Sequence, residues 1–545
     1  MIAADGMTPL ARALARLDDV VARRLPLSSA PGLALALTDR ERTLYSATYG
    51  DADVAARAPL TPDILFDIAS VGKWFTAVAL LQQHEAGRLD LHAPVGDYLP
   101  WFRVRSRFAP ITTHHLLSHT SGLATAYAET PGSRYDVAAL REVELACAPG
   151  RHFHYSNTGY KTLGFLLEAL TRRPRAVAIQ EGVFDPLGMV ASAAIVTQER
   201  RDRMAVGYAA RYDDRPARRG ETPLPAAWTE FTTGDGGGVS TAADLAAYAR
   251  MILNRGQGPR GRILAPASFD LMARRAAGGA FGQDLSYGYG TIIQEVDGHT
   301  YLGHGGGAPG YQSAVMADMD AGVGVAVLIN YGQGALYVEM AHAALGLLRA
   351  VVAGTPLPST SPVHDPAVVE DAPDYAGMYR GEAGTLTLEA SDGHLMLGHG
   401  AGRVALERRG RDTFFVDHPD FARFLLRMGR AEGRVVEAFH GPDWYAGDRY
   451  AGATTFDAPV EWAAYTGHYR SHNPWTSNFR VVQRKGAALL SRPDGGEEPL
   501  APLGAGVFRV GAAPSPERLQ FDTIVDGQAL RASLSGEPYY RSPIP

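Results

Sequence analysis

The sequence predicts an α+β domain over residues 1–355, then a linker at 356–372, then two antiparallel β-barrel modules at 373–458 and 459–545. Three observations predict this layout. Helix and strand signals are mixed only up to about residue 355. The stretch TPLPSTSPVHDPAVVEDAP, beginning at Thr355, is rich in Pro, Ser and Thr and reads as a linker. Beyond it short alternating strands dominate, and one sequence element recurs. A chain of 545 residues is also too long for a single hydrophobic core.

The elements follow in order. Leu10, Leu14, Leu17 and Val21 fall at i, i+4, i+7 and i+11, the stripe of an amphipathic helix. Thr76–Glu85 and Tyr160–Leu170 are helical by apolar spacing, with a helical subdomain expected between about 85 and 235. Tyr311–Met319 and Val323–Asn330 read as strands joined at Asp320-Ala321-Gly322, a hairpin. After the linker, Thr385–Glu389, Thr413–Val416, Phe479–Val482 and Phe508–Val510 alternate as strands do.

The repeat is carried by Tyr375-Ala376-Gly377-Met378-Tyr379-Arg380, which recurs as Tyr465-Thr466-Gly467-His468-Tyr469-Arg470 at an offset of 90. Phe415-Val416 answers Phe508-Arg509 at 93, and Gly441-Pro442-Asp443-Trp444-Tyr445 answers Gly536-Glu537-Pro538-Tyr539-Tyr540 at 95. The slow drift is what small loop insertions produce, so the two modules share one plan.

Bulk composition excludes several function classes. Apolar content of 46% and charged content of 20% are those of a soluble globular protein. Net charge is −6, and the basic runs Arg200–Arg203 and Arg215–Arg219 are broken by Asp202 and Pro216, so no nucleic-acid partner is expected. Cys147 is the single cysteine, which rules out an intrachain disulfide and a cysteine metal site. The first 25 residues carry acids early and no uninterrupted apolar stretch, unlike a signal peptide. Apolar runs such as Gly322–Ile329 are too short to span a bilayer. The expectation is a cytoplasmic protein with no membrane partner.

Three motifs carry chemistry. In Ile68-Ala69-Ser70-Val71-Gly72-Lys73, Ser70 and Lys73 sit three residues apart at a helix start and share a face. A hydroxyl is a weak nucleophile, and a desolvated lysine beside it can serve as its base. In Phe153-His154-Tyr155-Ser156-Asn157, a tyrosine near a lysine ammonium has its phenolate favoured, and Asn157 offers an amide to orient a substrate. The bland reading makes Asn157 a helix cap and Tyr155 packing. The third is Gly303-His304-Gly305-Gly306-Gly307-Ala308-Pro309-Gly310-Tyr311, whose glycines allow close approach to the backbone. Residues 305–310 fit Gly-x-Gly-x-x-Gly, but Pro309 and the following hairpin deny the helix that a dinucleotide site needs. No cofactor is expected. His115 and His119 are spaced i, i+4 on a predicted helix, but no third ligand is evident, so no metal is expected either. No Gly-x-Ser-x-Gly elbow exists in the chain, which argues against an α/β-hydrolase.

Together, Ser-x-x-Lys at 70, Tyr-x-Asn at 155 and His-x-Gly at 304 resemble the signature elements of the class C β-lactamase, penicillin-binding-protein, D-aminopeptidase and esterase family. Pro31-Gly32-Leu33-Ala34-Leu35, Leu116–Leu123 and Gly237–Leu245 resemble further stretches of that family, and the resemblance covers about residues 25–350. It implies a mixed, mostly antiparallel sheet flanked by helices, with lipocalin-like barrels behind it as in D-aminopeptidase. It implies Ser70 as nucleophile, Lys73 and Tyr155 as proton carriers, and an oxyanion hole from the N–H groups of Ser70 and Gly307. Asn157 and His304 would bind substrate, with His304 titrating near neutrality. The reaction implied is acyl-enzyme hydrolysis of small peptides or amides by a D-stereospecific aminopeptidase. A carboxylesterase and a penicillin-binding-type thioesterase or peptide cyclase are the chemical alternatives, and a catalytically dead binding protein the rival. The expected partners are a small-molecule or peptide substrate and a second copy of the chain in a homodimer.

Overall fold

The computed structural model describes residues 7–126, 132–229, 233–281, 285–359, 365–400 and 402–543. The chain divides into two compact units, Met1–Ala209 with Thr222–Thr360, and Ala210–Glu221 with Ser361–Pro545.

The first unit begins with α1 (Pro9–Arg24), which has Thr8 as N-cap and Pro9 at its first position. Strands β1 (Gly32–Asp39), β2 (Thr43–Asp53) and β3 (Ala58–Pro59) follow. A short β4 (Phe66–Asp67) leads through a 3₁₀ turn, Ala69–Val71, into α2 (Gly72–Glu85). The helical subdomain contains α3 (Thr113–Leu117) and α4 (Asn157–Thr171). Next come β5 (Val239–Ser240), paired with β4, and α5 (Ala242–Leu253). Strands β6 (Ala277–Ala280), β7 (Leu285–Tyr287), β8 (Ile292–Val296), β9 (His299–Ala308), β10 (Tyr311–Asp318) and β11 (Val323–Ile329) precede α6 (Leu336–Ala353).

Nine strands form one sheet in the order β6-β7-β8-β9-β10-β11-β1-β2-β3. The sheet is antiparallel, as the mostly antiparallel expectation has it, and here every pairing is so. The reason is topological: neighbours are joined mostly by hairpins, and β11 returns against β1 with Leu33 opposite Ile329. Strand alternation sorts the core. Leu33, Leu35 and Leu37 pack with α1 and α6, while Ala34 and Ala36 face the layer holding α2 and α5. Small residues on the second face let α5 lie close to the sheet.

The apolar-run expectation needs correcting at α6. Its 18 residues, with a mean hydropathy of 1.4, are long and apolar enough by length and composition to cross a membrane. In the fold, Leu336, Met340, Ala341, Leu345 and Leu348 are buried against the sheet and α1.

The second unit holds two closed eight-stranded antiparallel barrels. Strands β12 to β19 run Gly377–Gly381, Gly384–Ser391, His394–His399, Gly402–Gly410, Thr413–Val416, Leu426–Ala431, Arg434–His440 and Asp443–Gly447. Strands β20 to β27 run Gly467–Arg470, Asn478–Arg484, Ala487–Ser491, Glu497–Gly504, Val507–Val510, Arg518–Val525, Gln528–Leu534 and Glu537–Arg541.

The repeat read in the sequence is the barrel closure. Tyr379 Oη donates to the Tyr375 carbonyl at 2.7 Å, and Tyr469 Oη to the Tyr465 carbonyl at 2.8 Å. Tyr379 lies opposite Gly447 and Tyr469 opposite Arg541, so first and last strands meet in the same register. The two matched arginines diverge. Arg380 pairs with Asp448 of its own barrel, but Arg470 pairs with Asp213, from the segment Ala210–Glu221. Asp213 also accepts from Ser477 Oγ at 2.9 Å, and its carbonyl from Asn478 Nδ2 at 2.9 Å. Of the predicted linker, residues 360–364 lie outside the described residues, and Ala372–Tyr375 is a short helix.

Candidate active site

The site is built on the turn between β4 and α2. Ala69 has φ +47, a left-handed conformation uncommon for a residue with a Cβ. Buried Asp67 pins it, accepting the Ala69 N–H at 2.7 Å. Strand β9 presses on the same turn. A Cβ on Gly306 would lie 2.3 Å from the Ile68 carbonyl oxygen and 3.1 Å from Ala69 Cβ, so only glycine allows the strand this near. Gly307 follows with open space beside it. Ser70 therefore stands in the 3₁₀ turn that opens α2, at the helix start expected.

Lys73, on the first turn of α2, is fully buried, and its Nζ donates to Ser70 Oγ at 3.0 Å and to the Asp235 carbonyl. Burial lowers its pKa to about 7, with nearby Asp235 opposing and Lys161 assisting. The ammonium lies 4.9 Å from the Tyr155 ring centre and 5.8 Å from that of Tyr160. Tyr155 is hydrogen-bonded to Ser70. The spacing therefore brings Ser70, Lys73 and Tyr155 together. It misjudged the phenol: burial pushes its pKa up, so the phenolate is not the resting form.

Asn157 opens α4 but does not cap it; Ser156 Oγ accepts the Gly159 N–H at 3.0 Å and does so. Among the described residues the buried Asn157 Oδ1 has no hydrogen-bond partner, an unclaimed acceptor two residues from Tyr155. His304 departs further from expectation. Its Nδ1 faces the Gly305 carbonyl at 2.6 Å, so that nitrogen carries the proton, and Nε2 accepts from Tyr287 Oη at 2.9 Å. Both nitrogens are engaged within the protein. Burial, with the Lys73 charge behind it, lowers its pKa to about 3. His304 is neutral across the working range and supplies no cation for a substrate carboxylate.

Aromatic rings cluster around Tyr155. Phe281, 45% exposed, lies 5.5 Å from the Tyr155 ring and 5.3 Å from that of Phe153. Phe281, Tyr287, Tyr160 and the Asp235 carbonyl were not recognised from the sequence. In the sequence Tyr160 is one position of an apolar helix stripe, and Asp235 sits just before the Gly237–Leu245 stretch that the resemblance marks; Tyr287 and Phe281 carry no signal.

His115 and His119 do not form the helical pair expected. Helix α3 ends at Leu117, and the two rings bond to Thr112 and Ser156 respectively. Among the described residues, His399 with His418 and Asp420, and His299 with Asp318 and Asp320, bring metal-ligand atoms within 4.8 Å of one another. Neither group includes a residue of this site.

Residues 17–350 match the Beta-lactamase family. Penicillin-binding protein 4 of Amycolatopsis lactamdurans is 32% identical over 371 residues, 65% of this chain and 94% of that protein. Esterase EstB of Burkholderia gladioli is 35% identical over 237 residues, 39% of this chain and 59% of its own length. The octameric penicillin-binding protein homologue from Pyrococcus abyssi superposes with a TM-score of 0.59 at 24% identity, over 79% of this chain and 99% of that one, a likeness of fold. With a family match over most of the catalytic unit and a serine–lysine pair at bonding distance at its centre, this chain is a serine hydrolase belonging to the Beta-lactamase family.

Proposed function

We propose that the chain hydrolyses small amides through an acyl-enzyme on Ser70, as a D-stereospecific aminopeptidase or amidase. The observation that carries the chemistry is the 3.0 Å contact between Ser70 Oγ and a buried Lys73 whose pKa is about 7. At neutral pH a large fraction of this amine is unprotonated and can take the serine proton. Ser70 Oγ attacks the carbonyl carbon, and the oxyanion is received by the N–H groups of Ser70 and Gly307. Tyr155, a neutral phenol hydrogen-bonded to Ser70, gives its proton to the leaving nitrogen and is reprotonated from Lys73. Water then releases the acyl group by the reverse relay.

Two features bear on substrate. The free Asn157 Oδ1 suits the N–H of an amide substrate, and neutral His304 with the Phe153–Phe281 wall suits an uncharged, apolar group. The layout of a catalytic unit followed by two barrels supports the D-aminopeptidase reading through its resemblance to that branch. A carboxylesterase is the second reading, favoured by 35% identity to Esterase EstB.

A panel of D- and L-amino-acid p-nitroanilides beside p-nitrophenyl esters tests this. Turnover of D-anilides above L-anilides, abolished by Ser70→Ala, is expected. Turnover of esters alone would hand the assignment to the esterase. A fluorophosphonate adduct on any serine other than Ser70 would overturn the mechanism.

A further inference from the structure

His119 lies between α3 and the Tyr155 segment and takes no part in the proton relay. Its backbone is left-handed, with φ +55, and its side chain is fully buried. The two amides flanking Tyr155 both end on it. The Ser156 N–H donates to His119 Nδ1 at 2.9 Å, and the His154 N–H donates to the His119 carbonyl at 2.8 Å. The imidazole also lies against the Tyr155 ring, 4.3 Å between centres at 35°, with Tyr160 and Tyr287 at 4.9 and 4.8 Å behind it. One residue thus holds Tyr155 by the backbone on both sides and by the face of its ring.

We propose that His119 is the positioning residue for Tyr155, fixing the phenol between Ser70 and Lys73 through its Nδ1 acceptor and its ring. The ring works in one protonation state. Nδ1 accepts, so Nε2 carries the hydrogen, and Nε2 has no hydrogen-bond partner among the described residues. Burial, followed by Lys73, His304 and His154, keeps its pKa well below the ordinary histidine value. A protonated ring would lose the Ser156 bond and add a second charge beside Lys73. The residue type follows from the constraints: left-handed backbone is tolerated by Asn, Asp and His better than by most residues with a Cβ. Among these, His and Asn offer a neutral acceptor at the δ position. A residue that only filled core volume would not need that acceptor.

The test rests on the Ser70–Lys73–Tyr155 reading, and uses two variants in two backgrounds. Asn at 119 keeps the acceptor and tolerates the left-handed backbone but lacks the ring; Phe keeps the ring and lacks the acceptor. The readout is the rate at which a phosphonamidate probe labels Ser70 with loss of its amine, a departure that needs the proton Tyr155 gives, so it is independent of which substrate the protein uses. His119→Asn should label within about tenfold of the wild type, and His119→Phe more than about a hundredfold slower, the scale of losing a general acid or base. In a Tyr155→Phe background both losses should shrink to within about threefold, because the group being positioned is already gone. Labelling by His119→Asn as slow as by His119→Phe would overturn the proposal. So would losses of full size in the Tyr155→Phe background, the mark of a general structural defect. If His119→Phe does not fold, judged by circular dichroism, His119→Asn decides alone, since a hundredfold loss in it contradicts the role of the acceptor. Normal labelling by all variants with no turnover of any amide or ester would instead count against both the proposed function and the positioning role.

Discussion

Lys73 is the residue on which activity and stability pull in opposite directions. As base it must be neutral, so acylation should rise as pH increases through about 7 and level off above it. Stopped-flow labelling of Ser70 from pH 5 to 9 checks this, and a flat profile would remove Lys73 as the base. Stability carries the same pKa, and it too improves as pH rises. The folded pKa lies below the ordinary 10.5, so between about 7 and 10.5 the unfolded chain holds a proton that the folded chain lacks. The group's contribution therefore improves with pH across that window, and below about 7 the full penalty, up to about 5 kcal/mol, is present. Lys73→Met should abolish labelling yet raise the urea midpoint at pH 6, by less than that bound because the bonds to Ser70 and the Asp235 carbonyl are lost. The gain should fade towards pH 10. Ser70, Lys73, Tyr155 and Asn157 were legible because helical spacing and short motifs fix their neighbours. The charge of His304 was not, because burial and the Lys73 ammonium set it, and both follow from how distant segments pack around the ring.

The turn between β4 and α2 depends on how close β9 can come. Gly306→Ala would put a methyl 2.3 Å from the Ile68 carbonyl oxygen and 2.4 Å from Ser313 Oγ, so strand or turn must move. A loss of about 1–3 kcal/mol in unfolding free energy is expected, the usual cost of overpacking, with a marked fall in Ser70 labelling. Gly307→Ala meets nothing within 4 Å and keeps its N–H, so both quantities should stay near wild type. Chemical denaturation and labelling of the two variants side by side decide this; equal damage would mean that strand proximity is not what matters. At this scale the β10–β11 hairpin and the helices could be read from alternation and apolar spacing. The left-handed Ala69 could not, and the sheet was legible only as mostly antiparallel. One depends on Asp67 reaching forward to an N–H, the other on β1 meeting a strand from the far end of the unit.

The whole molecule is two units that are not two consecutive stretches of sequence. Repeat arithmetic revealed the barrels because Tyr379 and Tyr469 close them in the same way. It was blind to Ala210–Glu221, which belongs with the barrels although it lies within the catalytic stretch of chain. Asp213 engages Arg470 and Ser477, Arg218 engages Asp417, and Arg409 donates to the Ala217 carbonyl. A chain ended at residue 355 should therefore be cut rapidly by trypsin at Arg211, Arg218 or Arg219, while the full chain resists there. Equal cleavage patterns on gels would deny these contacts a protective role. The ribosome meets this arrangement as a problem of order. Asp213 emerges 257 residues before Arg470, roughly 13–50 s at 5–20 residues per second. Throughout that interval the segment's charges wait for partners not yet made, while the catalytic stretch around it is free to condense. Maturation of this enzyme thus ends with a late docking event, and a chaperone or protease that binds nascent chains has a defined window in which to find residues 210–221.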